Sequence, residues 1–545
     1  MQRFDVIIVG GGTAGCVLAS RLSENLDRNI LLIESGQDTP PNKVPKEVLD
    51  SFPTSYYSPK FMWGDLEVRW TKKSKHAFEQ ACVLGGGSSV SGMWAMRGFL
   101  EDYERWGIQG WNIDTVRTFF NKLENDIDYS NDMHGKTGPM LIRRHMKNQW
   151  PPFCKVVGDA LIKNFGFSDY SDINTEFKDG VFPVPQTNTS TQRISTAMAY
   201  LTDDIRKRKN LKIITKLNVT KVLFKNTTCI GVNTEVGDYF SSEVILCAGA
   251  IQSPILLMKS GIGPKDDLLN CGIDLIFNNE NVGENLQNHP FIYLGAHLKE
   301  DFRQPKSLRP NAMACARWSS SIGKSDMLML IINKTSWHDL GQSIGALGVA
   351  VYEPHSRGKI KCTPSGFDIN FSLFSDERDL IRLVEGIKLA WSVLKTSSVS
   401  NSWNQIFATG YSEDVRKINR FNRSNAILAK YLCILLDGSK ILRKYLYKKM
   451  FPGYEKMEQI ITDDSLLIEF VKNNAVGMFH PTGTCRLGAV LDNECNVIGV
   501  NALKVVDCSI FPQIPRANTV LPVIMAAEKI ANSYMKFAYH TQKDI

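Results

Sequence analysis

The sequence predicts an α/β protein in which a Rossmann-type nucleotide domain, discontinuous along the chain, wraps a second domain. Three observations lead there. A glycine-rich turn joins a short strand to a helix at the N-terminus. Nucleotide-domain-like elements recur near the C-terminus. The middle of the chain has a different texture, and 545 residues exceed what one core holds.

Residues 4–9 form an apolar β-type run ending in glycines, residues 14–22 carry helical spacing, and residues 29–33 form a second apolar run ending in Glu34. That is a compact βαβ unit. A loop-rich stretch, residues 37–75, follows, then the segment Gly85-Gly86-Gly87-Ser88-Ser89. Residues 211–215 and 219–224 read as strands, 243–248 as a buried strand and 250–258 as a helix. From about residue 300 to 470 glycines thin out and amphipathic segments dominate, as in 379–394. A strand at 504–506 and a closing helix at 519–535 complete the chain.

Composition is that of an ordinary globular protein, 43% apolar and 22% charged, which excludes extensive disorder. The net charge of +8 is modest, and no nucleic-acid motif is present. Much of the excess sits in residues 440–456, KILRKYLYKKMFPGYEK. This reads as a solvated helical face, with a membrane surface or an acidic partner as the alternative. The twelve cysteines show no Cys-x-x-Cys pair and no metal-ligand spacing, so buried reduced thiols and no metal are expected. Met1 runs directly into the first strand, leaving no room for a signal peptide, and no apolar run reaches the length of a membrane span. A cytoplasmic protein is the expectation, under which sequons such as those at Asn188 and Asn226 carry no meaning.

Gly10-Gly11-Gly12-Thr13-Ala14-Gly15 fits G-x-G-x-x-G. Gly10 permits the tight turn, Gly12 lets the backbone approach a pyrophosphate, and Gly15 allows close helix–strand packing. The helix N-terminus then offers free N–H groups and its positive dipole end to phosphates. Glu34, 19 residues after Gly15 at the end of the next strand, is placed to accept ribose hydroxyls and to repel a 2′-phosphate. FAD or NAD is favoured over NADP; the motif does not separate the two.

Three further segments do. Ala81-Cys82-Val83-Leu84-Gly85-Gly86-Gly87-Ser88-Ser89-Val90, the run from Gly249 to Gly263, and Phe479-His480-Pro481-Thr482-Gly483-Thr484-Cys485 continuing to Val506-Asp507-Cys508-Ser509 and Asn518-Thr519 resemble the signatures of the glucose–methanol–choline oxidoreductases. Gly283-Glu284-Asn285-Leu286 with His289, and Ser356-Arg357-Gly358, are smaller matches. Asp38-Thr39-Pro40, Lys60-Phe61-Met62-Trp63 and the tail from Pro512 to Ile530 are similar to the members that oxidise hydroxymethylfurfural and aryl alcohols. The resemblance implies FAD as cofactor and a substrate domain built on an antiparallel sheet. It places residues 1–155, 195–297 and 470–545 in the FAD domain, and 156–194 and 298–469 in the substrate domain. It implies cofactor contacts at Gly10, Gly12, Thr13, Ala14, Gly15, Glu34, Ser35, Trp63, Leu84, Ser88, Val222, Phe479, Asp507 and Thr519, and a catalytic pair, His480 and Asn518. Relatives that bind FAD covalently use a His where this chain has Val90, so a non-covalent flavin is expected. There are departures: Ser91 stands where Asn is usual, Asn288 where Asp is usual before His289, and the span from His480 to Asn518 is short.

The chemistry itself asks for such a pair. Oxidising an alcohol removes a proton from oxygen and a hydride from carbon, and the flavin takes the hydride. A neutral imidazole suits the proton, and an ordinary pKa near 6.5 predicts a rate that rises as the ring deprotonates. Asn518 can donate and accept, fixing the alcohol oxygen, or can cap the helix that follows. His289 is read as packing or hydrogen bonding near the cofactor, and Phe479, Met93 and Trp94 as pocket liners or core. No G-x-S-x-G elbow supports a serine hydrolase. The expected reaction is oxidation of a small aryl or furanic primary alcohol, with oxygen or another acceptor reoxidising the flavin. Choline dehydrogenation and non-redox cleavage of a hydroxynitrile are the alternatives.

Overall fold

The computed structural model describes residues 3–71, 75–408, 413–450 and 456–541. Five strands form a parallel sheet in the order Leu211–Thr215, Ile30–Glu34, Arg3–Val9, Gly237–Leu246 and Leu503–Val505. All five residues of Ile30–Glu34 are buried, as expected for strands covered on both faces. Val219–Lys225 and Thr228–Thr234 extend the sheet as an antiparallel meander leading into Gly237–Leu246. The first helix, Thr13–Leu22, packs against the last, Val520–Thr541. Arg21 pairs with the buried carboxylate of Glu528 at 2.8 Å, and Tyr200 donates its hydroxyl to the same group. The two ends of the chain are thereby one layer, as the sequence predicts.

The second sheet has eight strands. Its main path runs Trp403–Ala408, Pro290–Leu298, Ile344–Val351, Met327–Ile332, Ala312–Trp318, Gly180–Pro183 and Ser168–Asp169, and Val476–Gly477 pairs with Pro290–Leu298. Pairing is antiparallel except between the last two of that path. The period-2 alternation of a strand sorts its faces. Met327, Met329 and Ile331 pack under helices Pro152–Phe165 and Glu377–Lys395, while Leu328 and Leu330 join Trp94, Phe291, Tyr352 and Ala517 on the opposite face. That opposite face looks toward the His480 segment.

Two segments cross the domain division read from sequence. Pro290–Leu298 is paired on both sides within the second sheet, although the division at 297/298 assigns it to the first domain. The span 300–470 holds four strands of that sheet as well as helices, as a substrate domain built on an antiparallel sheet requires. Three of these strands are buried on both faces and so show no polar alternation; Ile344–Val351 is buried at every position. The hairpin Lys359–Thr363 and Gly366–Asn370 also leaves its own half: Ile360, Cys362 and Ile369 pack in the first core. All twelve cysteines are free thiols.

Candidate active site

Backbone geometry builds the first half of the site. Gly10 has φ +100°, and a Cβ there would lie 2.6 Å from the carbonyl oxygen of Cys247. A Cβ on Gly15 would collide with the Gly10 carbonyl, and one on Gly86 would lie 2.7 Å from Gly12 Cα. Two glycine segments distant in sequence therefore meet, joined by the Gly85 N–H donating to the Gly11 carbonyl at 2.7 Å. Gly12 is the N-cap of Thr13–Leu22, and no side chain caps that helix, so Thr13 and Ala14 open it at a free positive end. Leu84 packs over Gly11. The Glu34 carboxylate accepts the N–H groups of Gly11 at 2.8 Å and Gly36 at 2.7 Å; burial raises its pKa and these two bonds oppose the rise. Ser91 Oγ is buried with no hydrogen-bond partner among the described residues. A backbone cradle, an uncapped helix end, a carboxylate at the strand end and an orphaned hydroxyl fit a dinucleotide.

Other cofactor candidates have protein partners of their own. Ser88 Oγ lies 2.6 Å from the Gly85 carbonyl and 2.8 Å from Thr196 Oγ1, and accepts the Thr196 N–H. Val222 donates its N–H to Ser260 Oγ at 2.8 Å. The Asp507 carboxylate gathers Gly249 N–H, Ser253 Oγ and Ser509 N–H, fixing the start of helix Gly249–Lys259. Ser35 Oγ is 3.4 Å from Asn218 Oδ1, and Trp63 N–H bonds the Gln80 carbonyl. Thr519 precedes the last helix and accepts the Val523 N–H. For Ser88, Val222 and Asp507 the polar groups are engaged in building the cradle, a role the sequence does not distinguish from ligand contact.

The second half is a chain of four side chains. Asn518 Nδ2 is 3.2 Å from His480 Nε2. Tyr352 donates its hydroxyl to Asn518 Oδ1 at 3.1 Å. His480 Nδ1 is 2.8 Å from His289 Nδ1, and the His289 ring stacks on Tyr352 with centroids 4.4 Å apart. Donor accounting sets the tautomer. Tyr352 makes Oδ1 the accepting end of the amide, so Nδ2 donates and His480 Nε2 accepts. The His480 proton is then on Nδ1, donated to His289. Burial drives the His480 pKa down to about 3, and burial followed by the nearby His480 drives His289 well below its ordinary value. These shifts favour the neutral form of both rings, below the ordinary imidazole value near 6.5.

The backbone holds this geometry. His480 donates its N–H to Asn288 Oδ1 at 3.1 Å, so the Asn288 amide oxygen fixes the backbone at His480. Phe479 has φ +59° and Met93 φ +65°, conformations that side-chain-bearing residues adopt at a cost of about 1–3 kcal/mol and that cluster at functional sites. Phe479 packs edge-on to Tyr56 and beside Phe78. Trp94 packs in the core of the second sheet. Asn518 reaches Tyr352 and His480, and the helix-cap alternative does not account for its contacts. His289, read from sequence as a cofactor neighbour, touches His480 directly. Tyr352 was invisible: a lone Tyr at the end of a buried strand carries no motif.

Residues 4–291 match the N-terminal part, and residues 354–527 the C-terminal part, of the family described as GMC oxidoreductase. The chain belongs to this family of FAD flavoproteins, and so is an oxidoreductase with alcohol-oxidising relatives. It is 34% identical over 570 residues to 5-(hydroxymethyl)furfural oxidase of Methylovorus sp. (strain MP688), covering 98% of each chain. It is 30% identical over 564 residues to the oxygen-dependent choline dehydrogenase of Vibrio vulnificus (strain YJ016), covering 97% of this chain and 94% of that one. The solved pyridoxine 4-oxidase of Mesorbium loti shares the fold, with a TM-score of 0.78 at 23% identity over 98% of this chain and 99% of that one.

Proposed function

We propose that this protein oxidises a small primary alcohol on an aromatic or furan ring to the aldehyde, with His480 as base and Asn518 as the group that fixes the alcohol oxygen. The observation that carries this is the His480 Nε2–Asn518 Nδ2 pair at 3.2 Å, with His289 Nδ1 2.8 Å from His480 Nδ1, an arrangement that suits a His480 proton on Nδ1. The unprotonated Nε2 and an amide donor converge where one alcohol oxygen can bond both. His480 Nε2 takes the hydroxyl proton as the carbonyl forms, and the hydride leaves the carbon in the same conversion, so the alcohol loses two electrons and two hydrogens in balance. When bound, FAD supplies the acceptor for that hydride. Gly10, Gly12, Gly15, Thr13, Ala14 and Glu34 would hold it, with Leu84 and Ser91 beside the second glycine segment. Val90 offers no nucleophile for a covalent link, so the flavin is held non-covalently; acid precipitation should leave the yellow colour in the supernatant, and a yellow denatured pellet would show the reverse.

The aryl preference rests on the similarity to the furfural oxidase together with Phe479, Phe78 and Tyr56 around the His480 segment. An aromatic ring on the alcohol carbon also weakens the C–H bond to be broken. Choline is the rival, favoured by the dehydrogenase relatives. A choline cation needs a carboxylate or an aromatic cage. The carboxylate nearest these aromatics in hydrogen-bond terms, Glu79, bonded by Tyr56, is paired with Arg416. The test is anaerobic mixing with benzyl alcohol or hydroxymethylfurfural while following flavin absorbance. Bleaching supports oxidation. A flavin that stays oxidised with every alcohol while a hydroxynitrile is cleaved would establish lyase chemistry instead.

A further inference from the structure

The helices Arg423–Asp437 and Lys440–Met450 form a hairpin over the Trp403–Ala408 edge of the second sheet, and their outer faces are built unlike the rest of the surface. Of sixteen exposed large apolar side chains among the described residues, eight lie between 427 and 445. They follow helical spacing. Ile427, Tyr431 and Ile434 form an i, i+4, i+7 stripe that is 58–64% exposed, and Ile441 and Tyr445 form an i, i+4 pair at 83% and 64%. The opposite faces are already satisfied: Ala429, Leu436 and Tyr447 are buried against Leu340, Ile344 and Phe407. The outer stripe is therefore not needed to hold the hairpin down. Contiguous exposed apolar surface of this kind marks an interaction site.

Charge selects the occupant. The hairpin, residues 423–450, contains seven Lys or Arg and a single acidic residue, Asp437. Asp437 is itself turned inward, accepting Arg303 Nη1 at 2.9 Å and lying 3.0 Å from His297 Nε2. A second copy meeting this face across a two-fold axis would oppose cations to the same cations. A bilayer span is excluded by length, because Arg423–Asp437 has 15 residues against the roughly 20 a span requires, and no described helix is long and apolar enough to cross a membrane. Apolar and aromatic side chains interleaved with Lys and Arg on one exposed helical face are the chemistry of interfacial helices, which sink the apolar groups among acyl chains and leave the cations at anionic headgroups.

We propose that this hairpin is a peripheral docking surface for an anionic lipid bilayer. The test is co-sedimentation of the full-length, flavin-loaded chain with extruded vesicles of phosphatidylcholine alone or mixed with phosphatidylserine. The chain should pellet with the mixed vesicles, at least about five-fold more than with phosphatidylcholine alone, and raised salt should reduce the bound fraction. The double variant Ile441→Glu/Tyr445→Glu and the charge variant Lys440→Glu/Lys449→Glu should each lose most of that binding while keeping flavin content and melting temperature, since all four side chains are exposed. Equal binding to both vesicle types, or none to either, overturns the proposal. So does a dimer in sedimentation velocity that the Ile441→Glu/Tyr445→Glu variant dissociates, which would assign the face to a second copy.

Discussion

At the scale of single residues, the centre of the molecule is a neutral relay, Tyr352–Asn518–His480–His289, whose directionality follows from which atoms donate. His480→Ala is expected to keep bound flavin, because the glycine cradle is built elsewhere in the chain, and to lose at least about 10²-fold in the rate of flavin reduction by alcohol, measured by anaerobic stopped flow. Near-normal reduction would remove His480 from the reaction. Burial drives the His480 pKa down to about 3, which favours the unprotonated base across the physiological range. The reduction rate should be flat from about pH 5 to 8 and fall only in stronger acid, since a lowered His pKa favours the neutral form; a rise centred near pH 6.5 would show an ordinary imidazole. His289→Leu removes the acceptor that keeps the His480 proton on Nδ1. It should lower kcat on the order of ten-fold, the equivalent of one hydrogen bond of about 1.4 kcal/mol, with little change in KM. An unchanged kcat would leave His289 a packing residue. His480 and Asn518 were legible because each sits in a motif-bearing segment. Their partners were not, because a stacking Tyr and a second His are recognisable only once two sheets are placed against each other.

At the scale of elements, the first βαβ unit was readable almost residue by residue, since strand, glycine turn, helix and strand each leave a local signal. The segment between residues 124 and 172 left none, yet it holds a dense buried charge cluster. Arg144 binds Asp126 at 2.7 Å and Asp172 at 2.8 Å, and His134 lies between Asp126, Asp172 and Glu124, which also receives Arg97. Glu124, Asp126 and His134 have the composition of a metal site, but the two guanidiniums already neutralise these carboxylates. The cluster pins strands Glu124–Asp126 and Met140–Ile142 beneath Arg97, four residues from the Met93 turn. Arg144→Met removes one of the two buried cations that Asp126 and Asp172 share, leaving them to His134, and should cost about 3–5 kcal/mol in urea unfolding, the range for breaking a buried pair. A loss below 1 kcal/mol would refute the structural reading. Burial opposes the His134 charge, but its carboxylate partners raise its pKa to about 10. Its share of stability is therefore complete below about pH 6.5 and lost as pH rises through about 10.

At the scale of the whole molecule, function arises where the two sheets face each other. The parallel sheet contributes the glycine cradle and the segment ending at Asn518; the antiparallel sheet contributes Tyr352 and, through Pro290–Leu298, the placement of His289 just before its first residue. This explains which part of the domain division could be read. The nucleotide half declares itself by motifs, whereas strands such as Ile344–Val351, buried on both faces, carry no period that distinguishes them from helix, and the boundary set at 297/298 falls inside the buried apolar strand Pro290–Leu298. Substrate choice is decided at the same junction. The side chains packed around the His480 segment are aromatic and sulfur-bearing, Tyr56, Phe78, Phe479 and Met478, and the Glu79 carboxylate that Tyr56 bonds is paired with Arg416. Burying a neutral ring there gains roughly 25 cal/mol per Å² removed from water, whereas a quaternary ammonium would lose its hydration and have only the faces of these rings to offset that loss, the Glu79 carboxylate being paired with Arg416. We therefore expect kcat/KM for benzyl alcohol or hydroxymethylfurfural to exceed that for choline by at least about ten-fold, a difference of about 1.4 kcal/mol in transition-state binding. Arg416→Ala, which frees the Glu79 carboxylate, should narrow the gap by improving choline alone. If choline is the better substrate of the unmodified protein, the aryl-alcohol reading fails while the His480–Asn518 assignment is untouched, because both alcohols need the same proton removed from the same oxygen.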